Sequence, residues 1–294
     1  MNEKILATRN EPTSIVWITG AGGLIGNYLL QLAPQFALNH HAVGLIRATL
    51  DLLDSAAVRR AFHEQQPAAI IHCAAMTKPP DCQTNPSLAR RANIESAALL
   101  AELAADIPFI FFSTDLVFDG RKGNYSETDA VNPLSVYAET KVAAEQVVLA
   151  NPRHTIIRTS LNGGVSPTGD RGFNEQIRNA WQRGQKLSFF TDEFRSPIHA
   201  EFTARACWEL FSKRQTGIFH IAGRKKLSRA QIGELLASRY QHLNPRFDTG
   251  SLKDYVGAPR SPDTSLDSSK AQAQLSFPLP SLSDWLRENP AAPF

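Results

Sequence analysis

The stretch Ser14–Leu30, "SIVWITGAGGLIGNYLL", constrains the fold more than any other part of the chain. An apolar run of strand length leads into Gly20, Gly22, Gly23 and Gly26, and a helix-like run follows. A plain turn needs one or two glycines. Four between a strand and a helix suit a dinucleotide-binding turn: one for the tight bend, one where the backbone approaches a pyrophosphate, and Gly26 where helix packs on strand. The helix start at Leu24 and Ile25 then presents free N–H groups and the positive dipole end to the phosphates. The competing reading is a glycine-rich turn with no ligand, which the flanking β–α–β pattern disfavours.

That pattern repeats. "AVGLI", "AAIIHCAA", "PFIFFST" and "TIIRTS" read as buried strands, and "DSAAVRRAFHEQ", "NIESAALLAELAAD" and "SVYAETKVAAEQVVLA" as the helices between them. Asp54 is a natural N-cap. Strands alternating with helices over short connections predict an α/β fold, a doubly wound parallel sheet of Rossmann type. The expected organisation is a polar tail over 1–13, a dinucleotide-binding domain over 14–160 and a smaller substrate lobe over 161–294. Strands near 187–190 and 218–222 are expected to return to the sheet. The stretch from Asn244, rich in Pro, Ser and Asp, reads as a tail.

Charge and composition narrow the partners. A net charge of +3 with mixed signs gives no basic stripe for nucleic acid. No apolar run approaches the roughly 20 residues of a membrane helix, and the N-terminus lacks the apolar core of a secretion signal. Three scattered cysteines, Cys73, Cys82 and Cys207, fit a reducing cytoplasm without disulfides, and no metal-ligand spacing appears.

The second strand ends at Ile46, where NAD-preferring enzymes often carry an acid for the ribose hydroxyls. Here Arg47 follows, and the first acid is Asp51. A cation there suits the 2′-phosphate, so NADP(H) is expected and NAD(H) is the alternative. Asp51 and Leu52 are placed to meet the adenine. Further on, Tyr137 and Lys141 stand at i and i+4, on one helix face. An ammonium near a phenol lowers a pKa that is otherwise near 10 and fits it for acid–base work. Ser113 and Thr114 close a strand at its C-terminal end, where open α/β sheets bind ligands. Thr114 is expected to hydrogen-bond a substrate carbonyl.

"TGAGGLIG", "FSTDLVFDG", "YSETDAVNPLSVYAETK" and "IIRTS" together resemble the extended short-chain dehydrogenase/reductase family, and within it the dTDP-4-dehydrorhamnose reductase-like subgroup. The likeness runs from about Ile15 to Trp285. It implies that Tyr137 protonates a ketone oxygen as NAD(P)H delivers hydride, that Lys141 holds the nicotinamide ribose, and that Thr114 orients the carbonyl. It also implies that Cys73, Ala74, Ala75, Thr77, Asn93 and Ser113 line the cofactor groove. Asp115, Ser160, Asn174, Arg195 and Arg260 would face a nucleotide-sugar substrate, the two arginines taking its diphosphate. For these two the competing reading is an ion pair, of Arg195 with Asp192 or Glu193 and of Arg260 with Asp263. A homodimer through the helices near Asn93 and Lys141 is the assembly the likeness suggests. Three positions depart from the subgroup: His72 stands for Asn, Ala138 for Gly, and Leu161 for a Trp that packs on the sugar. Two other functions stay open: a nucleotide-sugar epimerase or dehydratase, for which Asp115 supplies an acid beside Thr114, and a non-catalytic subunit resembling the methionine adenosyltransferase beta subunit.

Overall fold

The computed structural model of the chain describes residues 14–257 and 259–294, and the expected polar tail lies outside them. In chain order the strands are β1 Ser14–Thr19, β2 His40–Leu45, β3 Ala69–His72, β4 Phe109–Thr114, β5 Thr155–Thr159, β6 Asn162–Gly163, β7 Lys186–Phe190, β8 Phe194–Arg195, β9 Ile198–His199, β10 Gly217–Ile221, β11 Leu227–Ser228 and β12 Arg246–Gly250. The helices are α1 Leu24–Phe36, α2 Ser55–Gln65, α3 Pro79–Thr84, α4 Pro86–Arg90, α5 Ser96–Leu103, α6 Val136–Leu149, α7 Phe173–Gln182, α8 Ala200–Ser212, α9 Arg229–Arg239, α10 Ser269–Gln272 and α11 Leu282–Glu288. One wide turn, Arg91–Glu95, joins α4 to α5. No helix among the described residues is long and apolar enough to cross a membrane.

Six parallel strands form the central sheet in the order β10-β5-β4-β3-β1-β2. Their near-continuous apolar runs follow from burial on both faces. Val16, Ile18, Ile110 and Phe112 pack under α1 and α8. The alternate residues Trp17, Phe109 and Phe111 pack under α2, α5 and α6. The strand order reverses between β1 and β3, which is the switch point where such sheets open a crevice at their C-terminal ends.

The second half is stitched to the first. β10 takes the sheet edge beside β5. The segment after Arg260 runs back beneath the loop that follows β4, with Ser261 Oγ donating to Phe118 O at 3.1 Å and Tyr125 N to Ser265 O at 2.8 Å. The strand at 187–190 does not return to the central sheet. β7 pairs instead with β12, inside the stretch read as a tail. With the edge beside β5 already filled, Phe189 turns into a separate aromatic core with Trp181, Tyr240 and Trp285. Gly233 makes room for it, since a Cβ there would stand 2.4 Å from the Phe189 ring.

Candidate active site

The glycine turn lies against the end of β3. Gly20 has φ +69°, and a Cβ on it would meet Ala74 N at 2.6 Å. A Cβ on Gly26 would meet Gly20 O at 2.4 Å. Each position therefore requires glycine, one for conformation and contact and the other for contact alone. Gly22 is exposed and touches little, so its backbone is open to a ligand. Gly23 caps α1 without a side chain, and the first turn, with Leu24 and Ile25, carries no acid. The helix start thus offers unshared N–H groups to an anion. Cys73, Ala74, Ala75 and Thr77 follow β3 alongside, tied in by Ala74 N to Thr19 Oγ1 at 3.3 Å. Arg47 is largely exposed beyond β2 and loosely paired with Asp51 at 3.5 Å. Asp51 also opens a turn by accepting from Leu53 N, and Leu52 packs on the core.

Asn93 does not face this groove. Its amide accepts from Met76 N at 2.8 Å and donates to Met76 O at 3.1 Å and Thr140 Oγ1 at 2.9 Å. Both polar atoms of its side chain are used internally, so it fixes the backbone at Met76 and ties it to α6. The wide turn around it turns the side chain inward from an otherwise alanine-rich helix.

The candidate acid–base group of Thr114, Tyr137 and Lys141 stands at the end of β4. Thr114, Tyr137 and Lys141 are all buried. Burial raises the Tyr137 phenol well above its ordinary value, which the facing Thr114 hydroxyl opposes and Asp115 reinforces. The phenol is therefore a proton donor at neutral pH. The expected ammonium–phenol contact is absent: Lys141 Nζ donates to Phe112 O at 2.7 Å and lies 3.8 Å from the centre of the Phe111 ring. Burial pushes Lys141 down to about 7, against the pull of Glu145 and Cys73. Ser113 is buried in β4 with no partner for its Oγ among the described residues. His72, at the end of β3, bonds Thr19 Oγ1 at 2.7 Å, and burial drives it down to about 3.

Several expected substrate contacts are spent inside the protein. Asp115 is 4% exposed and accepts from Ser160 Oγ at 2.6 Å and Thr264 Oγ1 at 3.0 Å, with Arg195 Nε at 3.7 Å. It is the knot between β4, β5 and the late segment, so neither Asp115 nor Ser160 is free for substrate. Asn174 is fully buried and exchanges two hydrogen bonds with Gly164. Arg195 is buried, donating to Phe194 O, Ser261 O and Glu193 Oε1. It does not project into a cleft, because it sits in β8 and Glu193, two residues earlier, is buried beside it.

Arg260 remains at the surface. It grips Glu193 with two bonds of 3.0 Å rather than pairing with Asp263, which Lys226 takes. Together with Phe173, Gln176, Leu187, Phe190 and Arg229 it lines a cavity of about 290 Å³. Arg229 was not anticipated from the sequence. Its guanidinium has no carboxylate within ion-pair distance among the described residues, and burial pulls it down to about 10, opposed by Glu193 and reinforced by Arg195 and Arg260. One signal was available: Arg229 opens α9, where a cation opposes the helix dipole and needs another reason to be there. Three arginines around Glu193 and Asp115 leave one positive charge over, and two of them, Arg229 and Arg260, line the cavity.

Comparison with known proteins places this architecture. The family model described as "RmlD substrate binding domain" matches residues 14–289. The Rattus norvegicus methionine adenosyltransferase 2 subunit beta is 31% identical over 283 residues, 90% of this chain and 83% of that protein. The probable low-salt glycan biosynthesis reductase Agl14 of Haloferax volcanii is 29% identical over 293 residues, 94% and 97% of the two chains. The crystal structure of dTDP-4-dehydrorhamnose reductase from Bacillus anthracis in complex with NADP superposes with a TM-score of 0.83 at 23% identity, covering 94% and 98%.

Proposed function

The chain belongs to the RmlD substrate binding domain family, the dTDP-4-dehydrorhamnose reductase-like branch of the extended short-chain dehydrogenase/reductases, and on that premise we propose that it is an NADPH-dependent reductase of a nucleotide-linked 4-keto sugar. The observation that carries the reading is the intact set of Thr114, Tyr137 and Lys141, gathered at the C-terminal end of the sheet next to the switch point. The likeness to a glycan biosynthesis reductase supports it. The glycine cradle fits a dinucleotide, because Gly20 and Gly26 have no room for a Cβ and the first turn of α1 carries no acid. Gly22, Leu24, Ile25 and the 74–77 backbone would hold it, and Lys141 its nicotinamide ribose. The bound cofactor supplies the hydride. Thr114 and Tyr137 hold the ketone oxygen from one side and polarise it. Tyr137 gives up its phenolic proton as that oxygen becomes a hydroxyl. The reading includes a cytoplasmic homodimer, with Val147 and Leu149 exposed on α6 as apolar contacts.

Arg47 gives the cofactor preference a test. Arg47→Ala should weaken NADPH by about 1.5–3 kcal/mol and leave NADH nearly unchanged, since only the 2′-phosphate loses a charge-assisted bond. Fluorescence titration of both cofactors decides it, and equal affinities in the native protein count against the assignment.

The surplus arginine charge points to a diphosphate in the substrate. Titration calorimetry of dTDP and UDP into the NADPH complex should show binding that weakens with salt. Arg229→Ala and Arg260→Ala should each weaken it about tenfold or more. No heat from either nucleotide, with NADPH binding intact, would move the substrate to a carbonyl compound without phosphates. The 31% identity to a methionine adenosyltransferase beta subunit favours a second reading, a cofactor-binding regulatory partner. The retained proton donor weighs against it.

A further inference from the structure

Lys141 is the middle member of a stripe on α6. Tyr137, Lys141 and Glu145 recur at every fourth position, so one helix face carries phenol, amine and carboxylate in order. All three are buried. The carboxylate does not touch the amine, because Arg158 on β5 takes both its oxygens, Nε to Oε1 at 2.9 Å and Nη2 to Oε2 at 2.6 Å. Arg158 Nη1 stands 3.4 Å from His220 Nε2, and His220 Nδ1 stands 3.0 Å from Tyr125 O. Burial drives His220 down to about 4. The ring is therefore neutral, donating through Nδ1 and accepting at Nε2 from Arg158.

We propose that the Glu145–Arg158 pair is a positioning device for Lys141, a buried dipole whose negative end stands one helical turn along α6 from Lys141 and biases its amine toward the ammonium. The idea rests on the reading of Lys141 as the residue that serves the cofactor ribose. The other groups facing Lys141 do not supply this field. His72 at the end of β3, Cys73 just after it and Tyr137 on α6 are all neutral at neutral pH, since burial drives the imidazole down and the thiol and phenol up. On β4 the Phe112 carbonyl and the Phe111 ring contribute only dipole and quadrupole. Glu145 is the one carboxylate among the described residues that bears on the amine. Arg158 is the opposing charge beyond it.

The two ends of this dipole have opposite effects on Lys141, whereas a purely structural tie between α6 and β5 has none. The full chain is labelled with ¹³C at lysine Cε, and the Lys141 resonance, identified by its loss in Lys141→Arg, is followed against pH by NMR. Glu145→Gln should lower its midpoint by about one pH unit and Arg158→Met should raise it by a similar amount. Either variant leaves a buried charge unpaired and can fail to fold. Arg158→Lys keeps the charge and should keep the native midpoint. The neutral pair Glu145→Met with Arg158→Leu should bring the midpoint between those of the two single variants, or below the native one if only it folds. Midpoints that stay put, or move the same way in both single variants, overturn the proposal. NADPH affinity, measured separately on the native protein, tests the cofactor reading and cannot alter these midpoints.

Discussion

Tyr137→Phe should lower turnover about 10²- to 10⁴-fold, the usual contribution of a positioned acid–base group, while NADPH affinity stays close to native. The substitution removes one oxygen and nothing else. The ring keeps its place among Cys82, Ala89, Met76 and Leu116, so the fold and the cofactor cradle are undisturbed. What is lost is the phenol facing Thr114, and with it the proton donor of the proposed reduction. Burial holds that phenol protonated, which suits it to donate to a developing alkoxide. Steady-state rates and a cofactor titration on the same preparation separate the two effects. Near-native turnover would remove Tyr137 from the mechanism. A matched loss of NADPH binding would make its role one of cofactor binding.

Asp115→Ala should destabilise the fold by about 3–5 kcal/mol, the cost of breaking a buried charged contact by removing one partner. Ser160 and Thr264 would each lose an acceptor, and Arg195 would lose the carboxylate near its Nε. These partners come from three separated stretches, so the knot joins the first half of the chain to the second. A dehydratase acid behaves differently, because it has to reach a substrate and can be removed without unfolding the protein. Urea unfolding measures the difference. A loss under about 1 kcal/mol, with activity abolished, would return Asp115 to the chemistry and revive the dehydratase reading.

The backbone of this site was legible in the sequence and its side-chain partnerships were not. Glycine reports directly on space and conformation, so the roles of Gly20 and Gly26 are legible in the sequence itself. Tyr137 and Lys141 share a face by periodicity alone. Which carboxylate an arginine meets depends instead on tertiary approach. Arg195 and Arg260 both converge on Glu193, one of the two partners the sequence suggests for Arg195, whereas for Arg260 the sequence suggests Asp263. The family likeness implies ligand contacts for Asn93 and Asn174, yet Asn93 is consumed by Met76 and Thr140 and Asn174 by the Gly164 backbone. The pairing of β7 with β12 joins strands some sixty residues apart, and the second of them lies in a Pro- and Ser-rich stretch with no strand signature. Arg229 went unread because an arginine after a serine cap looks like ordinary helix surface.

On the proposed function, this chain turns over NADPH against a nucleotide-linked keto sugar. The direct measurement incubates the purified protein with NADPH and a dTDP-linked 4-keto-6-deoxy sugar and follows cofactor absorbance and product together. Continuous NADPH consumption with one new hydroxyl per NADPH oxidised is expected, lowered about 10²- to 10⁴-fold in Tyr137→Phe. NADPH that binds tightly yet is never oxidised, with dTDP- and UDP-linked keto sugars alike, would contradict it and leave a cofactor-binding partner protein as the reading that stands.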